Sequence, residues 1–436
     1  MDNRIFQLGT EDLPAEWFNI LATIPYQLPF PVDPGTGKAM AYEKLAQKYS
    51  SECTKIELQI GSYGQAVTIP IPEPVLREYR MFRPTPIYRA LGLEDALGYK
   101  GRIYFKREDL SPSGSHKPNT ALAQAYYASQ DGLAELVTDT GAGQWGAALA
   151  YSCRRYGIRC SVFMTRKSYL DKPYRAVLMN LSGGEVFPSP SDKTHIGKEL
   201  LAQELNHTGS LGIGMAEAME FVMGRRSSRL ALGCMSYYAA LHQTVIGLEV
   251  KKQLEFMGQN PDLMIACVGG GTNFMGFVAP FLSERIQGKN DIEFVAVESS
   301  NIPALTQGRY EYDFQDFSGL TPKVKMYTLG HEFIPPPIHS GGLRYHGKAP
   351  VLSLLFHHGH VRATAIDQEE AFAAGRFFFE HEGVLPAPET NHAIAQTIRE
   401  VARAKEEGVN RTILFCFSGT GYLDLQNYKD MMVNRE

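Results

Sequence analysis

The chain reads as an α/β protein of two doubly wound, three-layer domains, and three observations point there. From residue 86 onward, short β-rich runs alternate with helical patterns long enough to be crossover connections, as in parallel sheets covered on both faces. Runs such as "DLMIACV" and "RTILFCF" are apolar almost throughout rather than alternating, the pattern of strands buried on two sides. Several runs end in turns that open helices, the place where open parallel sheets collect their ligands.

The elements follow in order. Residues 1 to about 85 are rich in proline and turn formers ("LPFPVDPGTGK", "IPIPEPV"), with one helical piece around "AYEKLAQKYS"; they predict an arm that packs on a larger body. Next come "RIYFKRE", a helix from about Asn119 to Ser129, "LAELVTD", a helix through "AALAYSCRRYG", "IRCSVFMT", the helix "YRAVLMNLSG" and "GEVFPSP". A helix-rich middle, "AALHQTVIGLEVKKQLEFMG", precedes "DLMIACVGGG", a helix and "IEFVAVES". Two helices between about 367 and 407 then lead to "RTILFCFSG".

Composition narrows the function classes. With 44% hydrophobic and 21% charged residues the 436-residue chain is ordinary globular material, and a net charge of −4 leaves no broad basic surface for nucleic acid. No apolar run reaches the roughly 18 residues of a membrane span, and the start shows no secretory signal. The six cysteines (Cys53, Cys153, Cys160, Cys234, Cys267, Cys416) lack CxxC spacing and read as buried core thiols in a reducing, cytoplasmic compartment. In "HHGH", His357 to His360, adjacent side chains of an extended run point to opposite faces and do not make a zinc site. His242 is expected inside a helix interface.

Four loops carry chemistry. In "SPSGSHKPNTALAQA" Lys117 stands at a helix start; the positive end of the helix, with partial burial, disfavours the ammonium and favours a nucleophilic amine. In "CVGGGTNFMGF" the glycines Gly269, Gly270 and Gly271 precede a helix, so backbone amides and dipole form a phosphate cradle. The loop lacks a Walker lysine and the spacing of a dinucleotide fingerprint. In "LVTDTGAGQWG" the amides of Gly141, Ala142, Gly143 and Gln144 suit a carboxylate, with Asp139 just before them. In "LFCFSGTGYLD" Ser418 ends a strand and offers a hydroxyl to a ring nitrogen. Each loop alone also fits a plain structural reading: a solvated lysine, a tight turn, a capping acid, a turn serine. Together they supply an amine, two anion cradles, an acid and a hydroxyl, the set that pyridoxal phosphate chemistry on an amino acid requires.

These residues, with "LPAEWFNI", "RPTPIYRALGLEDALG", "GSHKPNTA", "GAGQWGAALA", "KPYRAVLMNLSGGEVFPSPS", "LHQTVIGLE", "CVGGGTNF", "LTPKVKMYTLGHEFIPPPIHSGGLRYHGKAP" and "EGVLPAPETNHAI", run almost end to end. The chain resembles tryptophan synthase β chains, and among them the second, longer type. The resemblance implies a fold-type II pyridoxal phosphate enzyme: an arm over 1–85, a larger domain over 86–115 and 246–436 that holds the cofactor phosphate, and a smaller one over 116–245 with the Schiff-base lysine and a mobile substrate-binding segment. Lys117 would form the Schiff base and move the Cα proton. His116 would stand beside the cofactor phosphate and Asn119 near the phenolic oxygen. Gly269, Gly270, Gly271, Thr272 and Asn273 would hold the phosphate, Ser418 would meet the pyridine nitrogen and Glu389 would face the cofactor. The substrate carboxylate would rest on Thr140, Gly141, Ala142, Gly143 and Gln144.

The implied reaction is β-replacement on L-serine or O-phospho-L-serine through an aminoacrylate, with indole adding to give L-tryptophan. Serine as the ring-nitrogen partner keeps the pyridine largely neutral and steers the site toward loss of a β-substituent. Arg344, where the first type carries an aspartate, suits a phosphate leaving group. The family also uses monovalent cations bound by backbone oxygens. A homodimer is expected, and an α-type partner stays open.

Two positions depart from the family pattern. The motif that normally reads Glu-Thr-Gly-Ala-Gly-Gln begins here with Asp139, and the first glycine after Ser418 is followed by Thr420 where the second type more often has histidine. The shorter acid withdraws its carboxylate by about 1.3 Å, on the scale where misplacement costs ~10²-fold in rate. A different nucleophile, or β-elimination to pyruvate and ammonia, is therefore the alternative outcome.

Overall fold

The computed structural model describes residues 4–433. Two sheets organise it. The larger has seven strands in the order Ile5–Phe6, Ile87–Arg89, Arg102–Arg107, Thr412–Phe417, Leu263–Cys267, Glu293–Ser299, Arg362–Ile366. The first two pair antiparallel at one edge; the other five are parallel. The second sheet has four parallel strands in the order Gly184–Ser189, Arg159–Thr165, Glu135–Thr140, Ser228–Leu230.

The near-continuous apolar runs are buried as expected. In Thr412–Phe417 every residue after Thr412 is buried, and Phe415 stacks on Phe105 at 5.6 Å between ring centroids while Phe378 meets both from a covering helix. Helices Gln368–Glu382 and Pro388–Glu407 cover one face of the large sheet. The helix-rich middle resolves into Tyr237–Gln243 and Val245–Met257, abutting at Thr244. Among the described residues no helix is long and apolar enough to cross a membrane.

The N-terminal stretch does more than lie on the surface. It supplies the edge strand Ile5–Phe6, a short ladder between Glu16–Phe18 and Thr68–Pro70, and a fully buried Trp17 against His242, 4.5 Å between ring centres. At its end Arg83 is entirely buried with every guanidinium nitrogen engaged: Nε and Nη2 donate to Glu249, Nη1 and Nη2 to Glu108, and Nη1 also to Asn119.

Three features lie outside the sequence expectation. The edge strand Arg362–Ile366 is one. The antiparallel pair Arg309–Phe314 and Lys323–Thr328 is another. The third is a correction: His357 closes the helix Pro350–His357 and His358 caps it, so the histidines do not lie in an extended run. His358 stacks on Tyr26 at 3.7 Å, the Tyr26 hydroxyl meets His360 Nε2 at 2.7 Å, and His357 stacks on Tyr310 at 4.4 Å. His242 is buried as expected, its Nδ1 3.1 Å from Thr120 Oγ1.

Candidate active site

The four loops converge. Strands Arg102–Arg107, Thr412–Phe417 and Leu263–Cys267 are neighbours in the large sheet, and Glu135–Thr140 lies inside the small one. Their carboxyl ends meet at one cavity. Among its lining residues are His116, Lys117, Asp139, Thr140, Gly141, Ala142, Gln144, Gly269, Gly270, Gly271, Thr272, Asn273, Glu389 and Ser418.

Lys117 caps the helix Pro118–Gln130. Its Nζ donates to Gly233 O at 2.9 Å, and burial holds its pKa below the ordinary lysine value, against the pull of Cys234 and Asp139. Burial acts on Asp139 in the opposite sense, pushing its carboxyl up to about 7 although its own backbone and Lys117 pull it down. The cavity therefore disfavours charge on amine and acid alike.

The two cradles share one construction. Helix Thr272–Ile286 follows Gly271 at φ 96°, and helix Gln144–Arg155 follows Gly143 at φ 91°; both left-handed caps suit glycine. In each, the opening amides have no intrahelical partner. A Cβ on Gly270 would lie 2.6 Å from Cys234 Cβ, and one on Gly141 2.6 Å from Gly341 O. The segment around Gly341 thus lies directly across the second cradle, with Gly342 N donating to Glu389 Oε1 at 2.7 Å. Glu389 Oε2 accepts from Gln144 Nε2 at 3.3 Å. Ser418 Oγ stands 3.0 Å from Thr390 Oγ1 and 3.4 Å from Cys267 Sγ.

Three expected residues do not reach the cavity. Asn119 is turned into the buried cluster, with Oδ1 accepting from Arg83 and Nδ2 donating to Glu108 and Gln243 at 3.2 and 3.0 Å; its polar atoms are already used. Gly143 packs on helix Pro173–Leu181, where its Cβ would lie 2.8 Å from Arg175 Cβ. Arg344 donates from Nη2 to Pro335 O at 2.9 Å, with Nε lacking a partner. Arg175 and Lys172 are held by buried Asp424, at 3.2 and 2.6 Å.

Sequence reasoning missed Trp145, Leu211, Met215, Leu232, Gly233, Gly342 and Leu343, all in the lining. Cys234 and Cys267 also line it and are not simple core thiols; burial pushes both up to about 11, so they stand as neutral S–H groups. The signal for Gly233 is weak because it lies in a loop after a strand of three residues, Ser228–Leu230. No group of His, Cys, Asp and Glu among the described residues has the arrangement of a metal site.

The donor set fits a phosphorylated pyridine aldehyde. Buried His116 Nδ1 has no protein partner, with its pKa lowered by burial to about 3 so that it stays neutral. The glycine cradle has no room for side chains, and an amine of suppressed basicity faces the same space. Fold and cavity thus define a fold-type II pyridoxal-phosphate-dependent lyase. The profile of the family described as pyridoxal-phosphate dependent enzyme matches residues 80–419. The chain is 49% identical over 424 residues to tryptophan synthase beta chain 2 of Thermotoga maritima, covering 97% of this chain and 99% of that one. It is 48% identical over 433 residues to tryptophan synthase beta chain 2 of Methanothermobacter thermautotrophicus, covering 99% of each. The chain belongs to the tryptophan synthase β-chain family. Its fold is shared with a fungal L-serine ammonia-lyase from Rhizomucor miehei (TM-score 0.61, 17% identity, 81% of this chain and 99% of that one). A threonine deaminase from T.th. is similarly related (TM-score 0.55, 18% identity, 80% and 98%).

Proposed function

We propose that the protein makes L-tryptophan from L-serine and indole by pyridoxal-phosphate-dependent β-replacement. The observation that carries this reading is one cavity holding a buried amine of lowered basicity, Lys117, and a carboxyl poised near neutrality, Asp139, between two amide cradles. The amides from Gly269 to Asn273, with His116, would hold the cofactor phosphate; Ser418 would face its ring nitrogen and Glu389 its edge. When bound, the cofactor supplies an electron sink that makes the Cα proton acidic and the β-substituent expellable.

The chain's own groups do the rest. The amides of Gly141, Ala142 and Gln144 orient the substrate carboxylate. Lys117, uncharged, takes and returns the proton at Cα. Asp139 gives a proton to the departing β-oxygen and then accepts the indole N–H, a cycle that needs a pKa close to working pH. Trp145, Leu211, Met215 and Leu232 form an apolar wall that fits a flat nucleophile and excludes water. The test is incubation with L-serine, with and without indole, scored for tryptophan against pyruvate. Tryptophan is expected, and pyruvate unaffected by indole would overturn the reading.

O-phospho-L-serine is a second donor, a reading supported by the unpartnered buried Nε of Arg344; using it requires Arg344 to leave Pro335 O and turn into the cavity. Faster turnover with O-phosphoserine, abolished in Arg344→Ala, would establish it. We propose an arm over 1–85, a larger domain over 86–115 and 246–436 and a smaller one over 116–245, a division supported by the small-sheet strands lying between 135 and 230 and the parallel large-sheet strands at 102–107 and from 263 on; the arm lends its strand Ile5–Phe6 to the large sheet. A cytoplasmic homodimer is the expected form, the first supported by six free thiols and the second by family resemblance. Sedimentation of the purified chain tests the second.

A further inference from the structure

The residue after the second cradle, Trp145, belongs to neither anion site, yet it lines the cavity with only 6% of its surface exposed. Its Nε1 donates to Thr138 Oγ1 at 2.6 Å, and that hydroxyl donates to Ala231 O at 2.5 Å. Two residues further on, the ring presses against Gly233 so closely that a Cβ there would sit 2.5 Å from Trp145 Cγ. Between these points Gln124 holds Leu232 from the other side, Oε1 accepting from its N at 3.2 Å and Nε2 donating to its O at 2.9 Å. The stretch 231–233 is thus fixed residue by residue, and its last carbonyl, Gly233 O, accepts from Lys117 Nζ at 2.9 Å and from Thr272 Oγ1 at 3.4 Å.

We infer that Trp145 is a positioning residue for Lys117: tethered to Thr138 and pressed on Gly233, its indole sets the carbonyl on which the free lysine amine rests. The physical need is plain. A lysine has four rotatable side-chain bonds, and an amine that must reach one carbon repeatedly has to return to the same place each time it is released. A carbonyl gives it that place without altering its charge. Neither Trp145 Nε1 nor Thr138 Oγ1 belongs to the amide cradles, and the clamp meets the phosphate cradle only through the 3.4 Å bond of Thr272 Oγ1 to Gly233 O, so loosening it leaves the anion-binding amides in place and harms proton transfer. The inference rests on the reading of Lys117 as the reactive amine.

The test uses Trp145→Phe, which keeps a flat ring but loses the N–H donor, and Thr138→Val, which removes the acceptor with little change of shape. In each, kcat falls about tenfold, less than the ~10²-fold of a 1 Å misplacement, while KM for serine and cofactor affinity stay within about twofold. A second readout is independent of turnover: the pH dependence with which an amine reagent labels Lys117 in cofactor-free protein, scored by peptide mass. Its midpoint moves upward in both variants as water reaches the amine. The chain has two tryptophans, Trp17 and Trp145, and Trp17 is fully buried, so a red shift of emission in Thr138→Val reports release of Trp145. Should Trp145→Phe fold poorly, Thr138→Val carries the test alone. An unchanged kcat and labelling midpoint in Thr138→Val, with the emission shifted, overturns the inference. Failure of the underlying reading looks different: Lys117→Ala would then keep full activity.

Discussion

The two glycine-capped helix starts are near copies in backbone and unlike in chemistry. Both follow a buried parallel strand, both cap with a left-handed glycine, and both lie under the stretch 341–342 or the residues beside it. The turn after Leu263–Cys267 holds no acid; the turn after Glu135–Thr140 has Asp139 at its threshold. An acid at the first would repel a phosphate dianion. At the second, an acid can share space with a carboxylate only if it spends much of its time protonated, and burial arranges that. One backbone device therefore serves as a passive anchor in one sheet and a reactive site in the other, the difference being one side chain in a dry place.

The largest expected effect tests whether both turns serve one amine. Lys117→Ala should lower tryptophan formation by roughly 10³-fold or more, with the fold intact by circular dichroism. Next, Asp139→Asn should lower kcat by about 10²-fold while leaving cofactor affinity unchanged. The same change should alter stability with a definite sign. Asp139 carries its proton in the folded state up to about pH 7 but loses it near 3.8 when unfolded, so wild-type stability falls relative to Asp139→Asn as pH rises through that window, by about 4 kcal/mol at most. Denaturant midpoints of cofactor-free protein measured across the window would check it, and a gap that narrows with rising pH would contradict the assignment.

Glycine substitutions sharpen the division between anchor and reactive site. Gly270→Ala should weaken cofactor binding by about 10–100-fold, from overpacking of roughly 1–3 kcal/mol against Cys234. Gly141→Ala should instead raise KM for serine by a comparable factor, read from initial rates at saturating cofactor. Crossed results would show that the cradles have been assigned the wrong way round. The smallest effect is the control: His358→Ala removes a ring stacked on Tyr26 and absent from the cavity lining, and should cost about 1 kcal/mol of stability with activity unchanged.

What the sequence made legible was local. A parallel strand, a glycine turn and a helix start are neighbours in the chain, so Lys117, Asp139, the three glycines and Ser418 can be read before any coordinates. What escapes depends on which surfaces meet. Arg362–Ile366 is an edge strand with one fully buried residue, so its sequence carries little apolar signal. The histidine run misleads although Pro350 at the first helical turn and Gly359 beyond the last are a helix signature. Asn119 and Arg344 are placed by resemblance, and a buried charge cluster and a loop carbonyl claim them instead. Trp145 gives no signal because an aromatic at a helix start reads as core until Gly233 arrives against it from the loop after another strand.

The contact of Asp424 with Lys172 and Arg175 has a consequence for how the protein is made. The two cations enter the chain about 250 residues before their counter-charge, as the 249-residue separation of Arg175 and Asp424 shows. During synthesis the four-stranded unit can form its strands, but it must leave those cations wet, since burying an unpaired charge costs several kcal/mol. That side of the cleft can dry out only once Asp424 has been made. A product that stops just before Asp424 would carry Lys117, Asp139 and the glycine cradles and still leave Lys172 and Arg175 without their counter-charge.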